Sequence, residues 1–377
     1  MLQFLEFPRG DQALAESGYM RRVDFLAEGL RARGCQVDRV HLPELKVPRR
    51  LALAKLLAWR QVRRVAADYD AIHAANALVA SIAALAVRGT KTKLIFDVHG
   101  DVASESWLIW KHTHSCKCIS TALQLSVADW IARRGADGFL VVSKPSRELY
   151  IRRGVPADRL LIARNGADLD LFTKQPLRGD DGIIRICYSG GFAAWQGIGN
   201  LLQACEILCG RGWPDRLRLR MIGFAPSTVG VRERFSQVLG ERFEPADRVR
   251  RAELPVLFAE SDLMVIPRTP HPAVAVAMPT KFGEYAAAGR GIIVVDVDET
   301  ADLVRASGCG IVAGPGPAGL ADAMAQAAVT PYGRIAEMGA RGRELAEREF
   351  SSDAIAARYH RFLQRIVVGA SNHGATG

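Results

Sequence analysis

"IIRICYSGGFAAWQGIGNLLQACEILCGRG", Ile183 to Gly212, and "LRLRMIG", Leu217 to Gly223, decide how the chain is read. Ile183 to Ser189 is an apolar run that stops at Gly190-Gly191, as a buried parallel strand stops at its turn. Gly197 to Gly212 has helical spacing and closes on glycine, and Leu217 to Gly223 is a strand again. Strand, helix, strand in that order is a βαβ unit, whose strands lie parallel.

The same alternation runs outward both ways. Before it, "MLQFLEFP", "CQVDRVHL", "TKLIFDVHG" and "DGFLVVS" read as strands, and "GYMRRVDFLAEGLRARG" as a helix ending on Gly34. After it, "ELPVLFAES" reads as a helix and "DLMVIP" and "GIIVVDV" as strands. "TKQPLRGDDG", Thr173 to Gly182, rich in Pro, Gly and Asp, marks a linker. The expected fold is α/β, with a Rossmann-like N-terminal domain over 1–174 and a second over 182–350. A helix over 351–368 would pack back towards the first domain, and 369–377 would be a frayed tail. Ligands would sit in a cleft between the domains, beyond the carboxyl ends of the strands.

At 377 residues and 49% hydrophobic, the chain is long enough for two cores and is neither disordered nor fibrous. The N-terminus has no basic start followed by an apolar run, and no stretch reaches the roughly 18 to 20 apolar residues of a membrane span. A cytoplasmic protein is expected. Seven cysteines, irregularly spaced, read as reduced thiols. "HTHSCKC", His112 to Cys118, lacks the paired spacing of a zinc ribbon or finger, so no metal is expected. The net charge of +10 is unevenly shared: residues 1–175 carry 27 Lys+Arg against 18 Asp+Glu, the remainder 23 against 22. The first half should face something anionic.

Three places could carry chemistry. "MPTKFGEYAAAGRG", Met278 to Gly291, holds Lys281, the last lysine of the chain, at what reads as a helix mouth with Thr280 as N-cap. A cation in the first turn opposes the helix dipole unless an anion binds there. Glu284, one turn on, could accept hydrogen bonds from sugar hydroxyls, and Gly283 suggests close approach of something. The competing reading is an i,i+3 surface ion pair between Lys281 and Glu284. "YSGGFAAWQG", Tyr188 to Gly197, can turn backbone N–H groups towards a diphosphate, although it is not GxGxxG and lacks the Walker lysine. "FDVHGD" puts His99 just past a buried strand, where a structural and a functional histidine are equally plausible from sequence.

In this order the motifs resemble the family 4 retaining glycosyltransferases, which have the two-domain GT-B fold. "DYDAIHAANALVA" is similar to the family's D-x-x-H-x-H strand end, through Asp70 and His73, and "FDVHGDVASE" to its D-x-H segment. "VVSKPSRELYIRRGVPADRLLIARNGADLDLF" resembles its V-S, G-V-P and N-G-V-D passage, through Ser143, Gly154, Asn165, Gly166, Asp168 and Phe172. "MPTKFGEYAAAGRGIIVVD" looks like its donor-site helix, and "SGCGIVAGPGPAGLADAM" like the segment after it.

The resemblance implies that Glu284 holds the donor's ribose, as the second glutamate of E-x7-E. It places Lys281 near the donor phosphates, Gly190 and Gly191 under the diphosphate, and His99 near the reacting sugar. Gly18 is the nearest counterpart of the family's N-terminal glycine loop. The first glutamate of the motif falls at Val276, and two usual phosphate cations fall at Gly191 and Gln196. Lys281 is thus left to neutralise much of the diphosphate, helped by Arg268. A compact point charge suits that task.

"VPRRLALAKLLAWRQVRRVAADYD", Val47 to Asp70, reads as a helix with Leu51, Ala54, Ala58, Val62 and Val65 against the sheet. Arg49, Arg60, Arg63 and Arg64 lie opposite, with Leu53, Leu56 and Leu57 among them. With Trp107, Trp110 and Lys111 of "SWLIWKH", this side suits an anionic membrane surface or a lipid-linked acceptor; the competing reading is a solvated helix face. No nucleic-acid module matches.

The expected function is transfer of a sugar from a UDP- or GDP-sugar to a glycan or lipid-linked acceptor hydroxyl, with retention and without a required cofactor. The expected site is peripheral, at the inner face of the membrane. Domain closure would exclude water. A non-catalytic binding subunit and a nucleotide-sugar epimerase are the alternatives. Val276, Gly191 and Gln196 favour the first of these, and nucleotide release without acceptor would mark the second.

Overall fold

The computed structural model describes residues 1–6, 18–42, 51–101, 104–107, 110 and 116–368. The chain divides into two compact units, Met1–Gly166 with Ser352–Gly377, and Ala167–Ser351.

The first unit runs β1 (Leu2–Glu6), α1 (Gly18–Arg31), β2 (Val37–His41), α2 (Leu51–Val65), β3 (Ala71–Ala74) and α3 (Ala77–Ala86). It continues β4 (Lys93–Val98), α4 (Cys116–Gly135), β5 (Gly138–Val141), α5 (Lys144–Arg152) and β6 (Leu160–Ile162). The strands form one parallel sheet in the order β2-β1-β3-β4-β5-β6. Because side chains alternate along a strand, Ile72, Phe96 and Phe139 point to one face and Ile95 and Leu140 to the other. On the first face α2, α3 and α4 bury Ala58, Val62, Val79, Ala83 and Ala132. On the second, α1 packs with the C-terminal helix, Ser352–Val368, through Val23, Leu26, Ile355, Tyr359 and Phe362. Asn76 starts α3 by accepting the Val79 N–H at 3.0 Å, and Ser143 starts α5 by accepting that of Ser146 at 3.0 Å.

The second unit runs β7 (Ile184–Ser189), α6 (Ile198–Gly210), β8 (Leu217–Phe224), α7 (Val229–Leu239), β9 (Phe243–Asp247), α8 (Leu254–Ala259) and β10 (Leu263–Ile266). Then come α9 (Pro272–Ala275), α10 (Thr280–Ala287), β11 (Gly291–Val295), α11 (Glu299–Ser307), β12 (Gly310–Ala313), α12 (Gly316–Val329) and α13 (Tyr332–Leu345). The C-terminal helix is therefore α14. The sheet is parallel throughout, in the order β12-β11-β10-β7-β8-β9. Chain order reverses at β1/β3 in the first sheet and at β7/β10 in the second, the places where such sheets open a binding crevice.

Two boundaries differ from the sequence reading. Ala167–Lys174, expected in the first domain, lies in the second unit. The Ala167 N–H donates to Phe350 O at 2.7 Å, and Phe172 stacks on Phe258 with centroids 5.8 Å apart, so this stretch packs as part of the second core. Thr280 is the first residue of α10 and not its N-cap: Pro279 holds that position, and no side chain caps the helix.

Candidate active site

In the second unit the crevice is built at the ends of β7 and β10. Ser189, the last residue of β7, is clamped by Tyr285 of α10. The hydroxyl accepts the Ser189 N–H at 2.9 Å and donates to its carbonyl at 2.9 Å. Beyond it Gly190 takes φ +140°, and Gly223 at the end of β8 takes φ +126°. A Cβ at Gly190 would stand 2.8 Å from the Lys281 ammonium, and one at Gly223 would stand 2.5 Å from Gly190 O. Only glycine keeps these backbones and the lysine together.

Lys281 projects from the uncapped first turn of α10 into this turn. Its Nζ donates to Tyr188 Oη at 3.0 Å and to Gln196 Oε1 at 2.9 Å, and lies 4.2 Å from the centre of the Tyr188 ring. Each of these partners is uncharged. Burial, with repulsion from Arg268, drives the Lys281 pKa from 10.5 down to about 7; Glu284 offsets this in part. The i,i+3 ion pair with Glu284 does not form: Glu284, 6% exposed, meets Arg251 at 3.3 Å, and Arg251 also reaches Asp168 at 3.5 Å.

Arg268 is committed elsewhere, to Asp298 at 2.6 Å, where it braces the start of α11. It acts on Lys281 through its field. Gly283 approaches Phe350, whose ring carbon would lie 3.0 Å from a Cβ there, so helix packing accounts for that glycine. Gly191 accepts the Tyr188 hydroxyl through its carbonyl, and Val276 is buried at the end of α9.

The first unit holds His99 just past β4. Its Nε2 lies 3.3 Å from Asp97 Oδ2, and His73 Nε2 lies 3.5 Å from the same oxygen. Arg22 of α1 grips Asp97 through Nε at 2.9 Å and Nη2 at 2.8 Å, and also donates to the carbonyls of Ala163 and Arg164. Burial alone would raise the Asp97 pKa; Arg22, His99 and His73 hold it well below the usual carboxylate range. His73 donates to or accepts from Tyr359 Oη of α14 at 2.9 Å, and burial lowers its pKa.

His99 borders a cavity of about 260 Å³ lined also by Asn76, Asp97, Asp101, Asp129 and Arg153. Asp101 accepts from Arg153 at 2.8 Å and Ser104 at 2.9 Å, and Asp129 from Arg133 at 2.8 Å, so these acids of the wall are paired. Sequence reasoning passed over Arg22, Tyr188 and Tyr285. An Arg-Asp pair 75 positions apart leaves no local trace, and tyrosines within apolar runs read as core.

The other expected residues are scattered. Gly18 opens α1, and the loop before it lies outside the described residues, as do Arg49 and residues 111–115. Arg60 and Arg64 are exposed on α2 beside Leu56 and Leu57. Trp107 and Trp110 pack edge to face at 5.9 Å. Among the described residues no group of three or more His, Cys, Asp or Glu could hold a metal, and no helix is long and apolar enough to cross a membrane.

Two family models match in tandem: a glycosyl transferase 4-like domain over residues 12–166 and glycosyl transferases group 1 over residues 184–329. The chain belongs to the family 4 glycosyltransferases and has the GT-B fold. Among solved structures, sucrose-phosphate synthase from Thermosynechococcus elongatus is 19% identical with a TM-score of 0.75, covering 98% of this chain and 99% of that one. HepE from Anabaena in complex with UDP is 16% identical with a TM-score of 0.70, covering 96% and 99%. A glycosyltransferase from Rickettsia africae is 13% identical with a TM-score of 0.69, covering 97% and 98%. No curated protein matches.

Proposed function

We propose that this glycosyltransferase takes its sugar from a UDP-sugar, binds the diphosphate at Lys281, and passes the sugar to an acceptor hydroxyl with retention of configuration. One observation carries the reading: the Lys281 ammonium stands at the sheet's switch point among uncharged partners, beside a glycine turn and an uncapped helix mouth. A diphosphate supplies the missing negative charge, and the free N–H groups of α10 add to it. As the sugar leaves, charge grows on that diphosphate, and donors already in place stabilise it most. UDP is favoured over GDP because HepE, similar in fold, has been solved with UDP and with UDP-glucose. Glu284, oriented by Arg251, is assigned to the ribose, and Gly190 and Gly191 to the diphosphate turn.

His99 is assigned to the reacting sugar, with Asp97 fixing its ring, and the cavity beside it to the acceptor. The acceptor is proposed to be a lipid-linked or membrane-associated glycan precursor, and the protein to act at the inner face of the membrane. The uneven charge and the mixed Leu56, Leu57, Arg60 and Arg64 face of α2 support this. The test is a panel of UDP- and GDP-sugars in thermal shift, with wild type and Lys281→Ala. The variant should bind the preferred UDP-sugar roughly thirtyfold more weakly, the loss of about 2 kcal/mol expected for a charge-assisted hydrogen bond. Equal shifts in both proteins would remove the diphosphate from Lys281. The anomeric configuration of the product, read by NMR, tests retention.

A further inference from the structure

We propose that the outer face of α4, continued by the groove between α3 and α4, docks the first unit on an anionic lipid surface. This rests on the reading of a membrane-associated acceptor and names the surface that would meet the membrane. Along α4, Ile119, Leu123, Val127 and Trp130 are 37%, 66%, 50% and 50% exposed. Their spacing of four, four and three residues places them on one helical face. The other exposed described positions of α4 are Ser120, Thr121, Gln124, Ser126 and Arg134, so no carboxylate is among them. The acidic residue of this helix, Asp129, is turned inwards onto Arg133 and Tyr150.

At the C-terminal end of the stripe, cations take over. The Arg134 guanidinium stacks 3.9 Å above the Trp130 ring. Trp130 and Leu85 line one groove of about 550 Å³ with Arg88, Arg134 and Lys93. Asp137 is the acidic residue of that groove, and it is held by Lys93 at 3.1 Å and by the Leu94 N–H at 2.9 Å. α2, packed beside α3 on the same side of the sheet, adds exposed Leu56, Leu57, Arg60, Arg63 and Arg64.

Apolar side chains and an aromatic with a cationic border, and no exposed acid among them, match the headgroup boundary of an anionic bilayer. A second copy is the competing occupant, and a two-fold contact centred on the cationic end would bring like charges together.

The test is co-sedimentation with phosphatidylserine–phosphatidylcholine vesicles and with phosphatidylcholine vesicles alone. These carry no glycan acceptor, so the result is independent of what the enzyme glycosylates. Wild type should bind the anionic vesicles and lose binding with rising salt. Arg88→Glu/Arg134→Glu should weaken binding at least about twentyfold, at about fivefold per cation removed. Leu123→Asp/Val127→Asp should abolish it. Arg211→Glu, on the other unit, should leave it unchanged. All altered side chains are exposed, so the variants should keep the wild-type Tm, which is checked alongside. Equal binding to both vesicle types, or binding insensitive to these substitutions, overturns the proposal. So does an oligomer in light scattering that Leu123→Asp disperses without any vesicle binding, because that result assigns the face to a second copy.

Discussion

Each unit holds a cation near the end of its sheet, buried in the first and part-buried in the second, and the two treat it in opposite ways. In the first, Arg22 is met by the Asp97 carboxylate, with two backbone carbonyls taking further donors and two histidines on the same acid. In the second, Lys281 is met by a phenol, an amide and a ring face, and its pKa falls to about 7. The first is a complete ion pair that braces the strand end carrying His99. The second is a cation lacking an anion. A scaffold compensates its buried charge internally, whereas a binding site leaves the compensation to its ligand.

Breaking each partner shows the contrast most strongly at Asp97. Asp97→Asn leaves Arg22 buried opposite an uncharged group and should cost about 3 to 5 kcal/mol in urea denaturation. Tyr285→Phe strips both backbone groups of Ser189 of their partner and should cost about 1 to 2 kcal/mol; UDP should also bind more weakly, because the Gly190 turn loses its clamp. Lys281→Met should cost least. The folded-state pKa of Lys281 lies below its unfolded value, so the unfolded chain binds more protons between about pH 7 and 10.5. Stability of the ligand-free enzyme therefore rises with pH across that window, and the penalty is full below it. Lys281→Met should remove that slope and leave the protein at least as stable near neutral pH. A large loss at Lys281→Met, or none at Asp97→Asn, would reverse the comparison.

The parts legible in sequence were those with a local signal. Apolar runs that end at a turn, as at Ser189-Gly190, revealed β1, β2, β4, β5, β7, β8, β10 and β11, while the short β6, β9 and β12 went unread; a lysine in a helix's first turn drew attention to Lys281. α4, at 20 residues, went unread. Ala122, Ala128 and Ala132 face the core while Ile119, Leu123, Val127 and Trp130 face out, so apolar residues stand on both sides of the helix and no period shows. The membrane face was expected instead on α2 and at Trp107 and Trp110, where leucines among arginines and paired tryptophans made the pattern visible. Arg268 was expected to help at the phosphates because the two usual cations fall at Gly191 and Gln196; its partner Asp298, 30 positions on, could not be seen without the fold.

Calorimetry of UDP binding above the Lys281 pKa of about 7, in two buffers of different ionisation enthalpy, tests the central claim most directly. A diphosphate that restores the ammonium must draw a proton from the buffer. Wild type should take up close to about one proton per UDP, and Lys281→Ala none, with weaker binding. UDP binding of equal strength in both proteins, with no proton taken up by either, would contradict the account.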